Sequence, residues 1–364
     1  MTTEQQSSLA FDPNKLAVWS IILAVTLTML VVGRAFLIPL TIAILLWSLL
    51  DALREIFLRI APDAHPIPGW IAMVLSISTV VLGNALVFAI LVGQVDALVA
   101  AAPIYQANFA ELTTRLAGYL GFERLPTVEG ILSGFDLGAM FSWIGASAGT
   151  LLSHLVLIAI YVGFLLAEQH RIPDKLARLQ RDEAKANQMR ILTSDVSRSV
   201  QKYIWIKTLM SLLTGAASYA VLFFVGVDFA AIWALLIFFL NFIPTVGSIV
   251  GVVFPALLTL VQFDTLGPFF VVAVGLGLTQ FLIGNVLEPA VTGRTLNLSP
   301  FMIILSLTFW GALWGVPGMF LSVPLMVVTG IVCSHFAGLR WISVVLSADG
   351  RLMTPASRKQ TSVM

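Results

Sequence analysis

Two apolar runs, Phe229–Gln262 and Ser299–Val332, are each 34 residues long, too long for one straight membrane crossing and short for two. A helix rises about 1.5 Å per residue through roughly 30 Å of hydrocarbon, so one crossing needs about 20 apolar residues. Each run carries Pro and Gly near its middle: Asn241-Phe-Ile-Pro244-Thr-Val-Gly247 in the first, Gly315-Val-Pro317-Gly318 in the second. Proline removes a backbone donor there, and glycine frees the backbone. At membrane depth such breaks survive only where neighbouring protein or a water-filled cavity satisfies the freed groups. Broken helices with polar residues at depth point to a transport path. Either run can cross with a break or turn back as a re-entrant hairpin, and charge counting does not separate the two pictures.

The background is that of an integral membrane protein. The chain is 59% hydrophobic and only 11% charged, against about a quarter charged in soluble domains. A net charge of +1, with no basic nucleic-acid motif, gives no sign of a nucleic-acid partner. The single cysteine, Cys333, excludes an internal disulfide or a thiolate cluster. His65, His154, His170 and His335 are scattered near predicted span ends, without metal-ligand spacing, and read as interfacial. Gly145-Ala-Ser147-Ala-Gly149 matches a nucleophile-elbow string, but it opens an apolar span, where small residues serve helix packing. No catalytic residue, metal site or cofactor is expected.

The expected fold is all-α, with about eight transmembrane helices, two of them broken or re-entrant, plus amphipathic extramembrane helices. A polar tail over 1–13 precedes three spans within 14–93. An acidic, extracytoplasmic helical region follows over 94–148, then a fourth span over 149–167. Residues 168–206 form a basic amphipathic helix, 207–335 a transmembrane core containing the broken helices, and 336–364 a tail. Nine of the twenty basic residues lie between Glu168 and Lys207, against five acids. Positive charge concentrates on the cytoplasmic side, so this helix and both termini are expected there. Its apolar residues keep a helical period, as for a helix lying on the membrane or against a neighbouring subunit. The expected partners are the lipid bilayer, a small-molecule or ion substrate, and further copies of the chain.

Glu288 is the foremost candidate in the interior, because an acid at the bilayer centre costs roughly 3 kcal/mol on insertion scales. Its bland reading is an interface residue where Pro289 ends the helix. Gln280 and Asn285 share the helix with it, within an arc of about 140° at 100° per residue. Arg294 reads as a partner for Glu288 or an interface anchor. Asn241, three residues before Pro244, can bond the freed backbone or face a solute. Pro244 and Gly247 shape the break itself.

The Asn-x-Ile-Pro-x-x-Gly core, Glu288-Pro-Ala-Val-Thr-Gly293, and Gly315-Val-Pro-Gly318-Met-Phe-Leu-Ser-Val-Pro324 together resemble the autoinducer-2 exporter family, the PerM-type permeases. Ser248 and Ser299 depart from the Pro and His common in that family. The resemblance implies export of a small molecule across the bacterial inner membrane. Autoinducer-2-like signals are one known substrate class, and sodium–proton exchange is another. Without a nucleotide-binding motif, movement would be passive or driven by a gradient. A channel-like permease and a non-transporting scaffold are the alternatives.

Overall fold

The computed structural model describes residues 13–60, 67–120, 155–169, 171–179, 182–292 and 297–352. In chain order the helices are α1 (Pro13–Val32), α2 (Arg34–Ile60), α3 (Gly69–Leu120), α4 (Leu155–Glu168), α5 (Ile172–Arg178) and α6 (Glu183–Val225). They continue as α7 (Ala230–Leu240), α8 (Val246–Gln262), α9 (Gly267–Phe281), α10 (Glu288–Thr292), α11 (Pro300–His335) and α12 (Arg340–Leu346). A π-turn, Leu282–Leu287, joins α9 to α10. Among the described residues the only extended pairing is the bridge between Leu298 and Ser347.

Five stretches are long and apolar enough to cross a membrane: Arg34–Ile60, Gly69–Gln94, Glu183–Val225, Gly267–Val291 and Pro300–His335. The outer faces carry exposed Leu86, Phe88, Phe164, Phe224 and Phe301, as suits a chain surrounded by lipid. The expected count of eight spans does not map onto these one for one. Both broken runs double back, α4 and α5 meet at a 68° bend, and residues 121–154, with the Gly145–Gly149 string and His154, lie outside the described residues. His65, His170 and the tail beyond Leu352 lie outside them as well.

Two boundaries drawn from charge are not boundaries of structure. Helix α3 runs 52 residues from the expected third span straight through Tyr105–Leu120. Helix α6 runs 43 residues from the basic stretch into the expected fifth span. Its start is capped by Asp182, whose carboxylate accepts from the Ala184 N–H at 2.9 Å. Its end is closed by Gly226 at φ 79°, a left-handed position that glycine takes without a Cβ penalty. Nothing between those caps breaks the backbone ladder, so the helix continues while its side chains change from charged to apolar.

The first broken run is a helical hairpin. The Gln262 amide, at its far end, donates to the Gly226 carbonyl at 2.8 Å and accepts from the Asp228 N–H at 2.9 Å. Its tip is the turn Asn241–Thr245 between α7 and α8. The second run folds back at Gly315, whose φ 65° and ψ −144° are open to glycine alone. There Ser306 Oγ donates to the Ser322 carbonyl at 3.0 Å, across sixteen residues that would span about 24 Å of straight helix. Trp314 is buried at this tip and donates its indole N–H to the Leu30 carbonyl at 3.0 Å.

The hairpin bases are tied down from outside. Tyr105 donates to the Asp228 carboxylate at 2.6 Å and Asn108 to the Val261 carbonyl at 3.0 Å, so the far half of α3 caps the first base. Burial, together with the Asp228 carboxylate holding its proton, pushes the Tyr105 hydroxyl well above its ordinary pKa. At the second base, Ser299 N–H donates to the Leu346 carbonyl and Ala348 N–H to the Asn297 carbonyl, both at 3.0 Å. Helix α6 is the central post: it packs on α2, α5, α7, α9 and α11. Leu45, Tyr203, Leu321 and Val327 form its core with α2 and α11, and Leu222, Ile237, Ala256 and Leu276 its core with α7, α8 and α9.

This topology has a direct check. In a Cys333→Ser background, single cysteines replacing Asp228 and Asp264 are expected to react with an impermeant thiol reagent from the same side of the membrane. A through-crossing run would put them on opposite sides.

Candidate functional site

Tyr203, Lys207, Ser211, Thr214 and Ser218 follow one another on α6 at intervals of four, four, three and four residues. That spacing puts them on one face, and each is at least nine-tenths buried. A polar stripe at these depths is costly unless each group finds a partner. At its basic end Lys207 Nζ reaches both carboxylate oxygens of Glu288, at 2.9 and 3.0 Å. The side chains are 11% and 25% exposed, so most of the attraction is felt in a low-dielectric surround. Glu288 stands immediately after the π-turn, a distortion that often marks functional positions.

One turn along, Asn241 Nδ2 donates to Ser211 Oγ at 3.0 Å, with both residues buried. Asn241 therefore ties the first hairpin's tip to α6. The tip itself is tight: Val246 N–H donates to the Pro244 carbonyl at 2.6 Å around Thr245, at φ 63° and ψ −57°. This is a strained γ-turn for a β-branched residue. Gly247 follows because a Cβ there would run into the Leu240 carbonyl. Thr245→Gly is expected to raise thermal stability in detergent by about 1 kcal/mol, since glycine takes positive φ without that strain. A lowered Tm would show that the threonine side chain contributes more than its backbone costs.

Gln280 is buried on α9 beside Gly251 of α8; a Cβ on Gly251 would lie 3.5 Å from Gln280 Nε2. Gln280 Nε2, Ser218 Oγ and Trp233 Nε1 are buried atoms without a hydrogen-bond partner among the described residues. The sequence candidates are thus divided. Asn241, Gln280 and Glu288 enter the interior, and Pro244 and Gly247 form the hairpin tip. Asn285, inside the π-turn, is exposed and does not share the burial of Gln280. Arg294 lies outside the described residues. The counter-ion of Glu288 is Lys207, which charge counting had placed in the cytoplasmic basic stretch. The four-residue rhythm from Tyr203 to Ser218 is the sequence signal that locates it.

A second buried pair joins α6 to the end of the second hairpin. His335 Nδ1 donates to the Ile331 carbonyl at 3.0 Å, while its Nε2 lies 3.6 Å from Asp195 Oδ2. The His335 side chain is 7% exposed, more buried than the interfacial residue expected, and neither its Nε2 nor Asp195 Oδ2 has a hydrogen-bond partner among the described residues. Gln188 adds a bond to the His335 carbonyl at 3.1 Å. Among the described residues no group of three or more His, Cys, Asp or Glu could hold a metal ion.

Multiple apolar helices around a polar, ion-paired interior, with two hairpins entering it, define a multi-pass membrane protein with a buried polar interior. Residues 20–338 match the AI-2E family transporters, and the chain belongs to that family of membrane transporters. It is 30% identical over 304 residues to a putative transport protein of Haemophilus influenzae, covering 80% of this chain and 82% of that one. It is 35% identical over 196 residues to the AI-2 transport protein TqsA of Escherichia coli K12, covering 54% and 56%. A putative transport protein of Borreliella burgdorferi is 35% identical over 198 residues, 54% of each chain. Against the last two, the match spans about half of each protein's length.

Proposed function

We propose that the chain is a gradient-driven exporter of a small molecule in the bacterial inner membrane, with both termini and the basic half of α6 in the cytoplasm. The observation that carries this reading is the Lys207–Glu288 pair, set at the basic end of a buried polar stripe between the two hairpins. A proton arriving at Glu288 would cancel its charge and release Lys207, so the pair can report an ion gradient to the helices that hold it. Asn241 and Gln280 line the path beyond the pair, and Pro244 and Gly247 shape the hairpin tip that closes on it. Asn285, on the outer face, is left out of the path. The name of the Escherichia coli relative supports autoinducer-2-like signals as the substrate class, and sodium–proton exchange is the second reading. Lipid surrounds the chain, and its exposed apolar helices suit assembly with further copies.

The test is efflux of autoinducer-2 from proteoliposomes under an imposed pH gradient. Efflux should follow the gradient and collapse when a protonophore removes it. Efflux indifferent to the gradient would exclude proton coupling.

A further inference from the structure

The polar stripe on α6 continues past the last group that has a partner, and the packing shows what stands around that unpartnered stretch. Antiparallel contacts set the heights. Lys207 faces Glu288, and Val221 packs against Gly275, which fixes α6 against α9. Ser211 bonds Asn241, and Gly215 lies against the Ala234 carbonyl and Phe238, which fixes α6 against α7. Gly251 lies against both Ile237 and Gln280, which places α8 at the same height. On these registers Gln280 stands level with Gly215, and Ser218 stands level with Trp233. The two levels are one helical turn apart, about 5 Å along the bundle.

Three polar atoms without partners among the described residues therefore lie within about one turn of one another in height: Gln280 Nε2, Ser218 Oγ and Trp233 Nε1. Gln280 and Ser218 are more than nine-tenths buried. Buried polar groups are nearly always bonded, so a cluster of exceptions asks for a ligand. The amide nitrogen and the indole nitrogen can only donate, and the hydroxyl can do either. Gly215 and Gly251 let α7 approach closely at this height, which brings Gln280 and the α6 stripe against it. Among the described residues of α6, α7, α8 and α9, none at this height is charged. The nearest ion pair, two turns away, is already neutral as Lys207 with Glu288.

We propose that Gln280, Ser218 and Trp233 form a binding site for a small neutral solute that brings its own acceptor oxygens, such as a polyol. Donors without an accompanying cation favour a neutral acceptor over an anion, because a desolvated anion here would have no counter-charge. The site rests on the reading of the interior as a transport path, and it assigns that path a neutral solute where the charged pair assigns it an ion.

The test uses the full chain in proteoliposomes, in a Cys333→Ala background carrying Ser218→Cys. Reaction of the introduced thiol is followed with 2-hydroxyethyl methanethiosulfonate, which is small and neutral, and with its trimethylammonium and sulfonate counterparts. The neutral reagent is expected to react at least tenfold faster than either charged one. Erythritol, a neutral probe with four oxygens, should slow the reaction saturably, and adding Gln280→Leu should remove that protection. A thiol unreactive in the folded protein, no protection by erythritol, or equal protection in the Gln280→Leu background would each overturn the site. The transport reading fails separately. A protein that moves autoinducer-2 under a gradient while its thiol stays sealed loses the site alone, whereas an open, erythritol-protected thiol with gradient-blind efflux loses the coupling alone.

Discussion

Glu288→Gln is expected to lower gradient-driven efflux at least tenfold and to lower thermal stability in the same protein. The amide keeps the shape of the carboxylate but leaves Lys207 as a charge without its counter-ion, 2.9 Å from where a carboxylate oxygen stood. Removing one member of a buried pair costs about 3–5 kcal/mol. Glu288 is 25% exposed, so the lower end of that range, about 3 kcal/mol, is expected here. Lys207→Met combined with Glu288→Gln removes both charges and should recover most of the stability, while gradient-driven efflux stays lost. The two singles and the double form a cycle that separates folding from function. Wild-type efflux with a wild-type pH profile in the double variant would reduce the pair to a structural tie.

The second large effect is expected at the hairpin tips. Gly247→Ala adds one methyl group, but that methyl meets the Leu240 carbonyl, which is backbone and cannot rotate aside. Gly318→Ala meets the Trp310 carbonyl and the Trp314 Cβ in the same way. Both should cost at least the roughly 3 kcal/mol at the upper end of overpacking penalties. They should be seen as loss of the monodisperse peak in size-exclusion chromatography and a lowered Tm. Gly277→Ala, with open space around it, is the neutral control. Pro244→Ala belongs to a milder class. Pro244 sits in a turn between two helices, so replacing it straightens nothing and removes only its restraint on the unfolded chain, worth about 1 kcal/mol. Wild-type behaviour of Gly247→Ala would mean that the tip is looser than its contact with the Leu240 carbonyl implies.

The breaks were legible in the sequence, and their direction was not. Pro244, Gly247 and Gly315 announce that a helix cannot continue. Whether it crosses or returns depends on a few dihedral angles, those of Thr245 and Gly315, and on what the arms pack against. Composition marks both runs as apolar and says nothing about Gln262 reaching back to Gly226. Two boundaries drawn from charge fall inside continuous helices for one reason. Backbone hydrogen bonds do not register the change from charged to apolar side chains, so α3 and α6 pass through boundaries that the residues drew. Lys207 was lost in the same way, counted among nine basic residues when its position on a buried stripe decided its role. Glu288, Gln280 and Asn241 were found because an isolated polar residue in an apolar run stands out in any reading. Asn285 stood out equally, and exposure, which an isolated polar letter does not reveal, separates it from the others.

Helix α6 has no proline between Glu183 and Val225, and at 1.5 Å per residue it is a rod about 65 Å long. A rod of that length acts as a lever. A tilt of roughly 10° about its midpoint carries each end sideways by about 5–6 Å, a full turn of helix, with no hinge to absorb it. Gln188 holds its basic arm against the second hairpin, and Ser211 holds its apolar arm against the first. Whatever grips one arm is felt at the other, so the two hairpins share one mechanical degree of freedom.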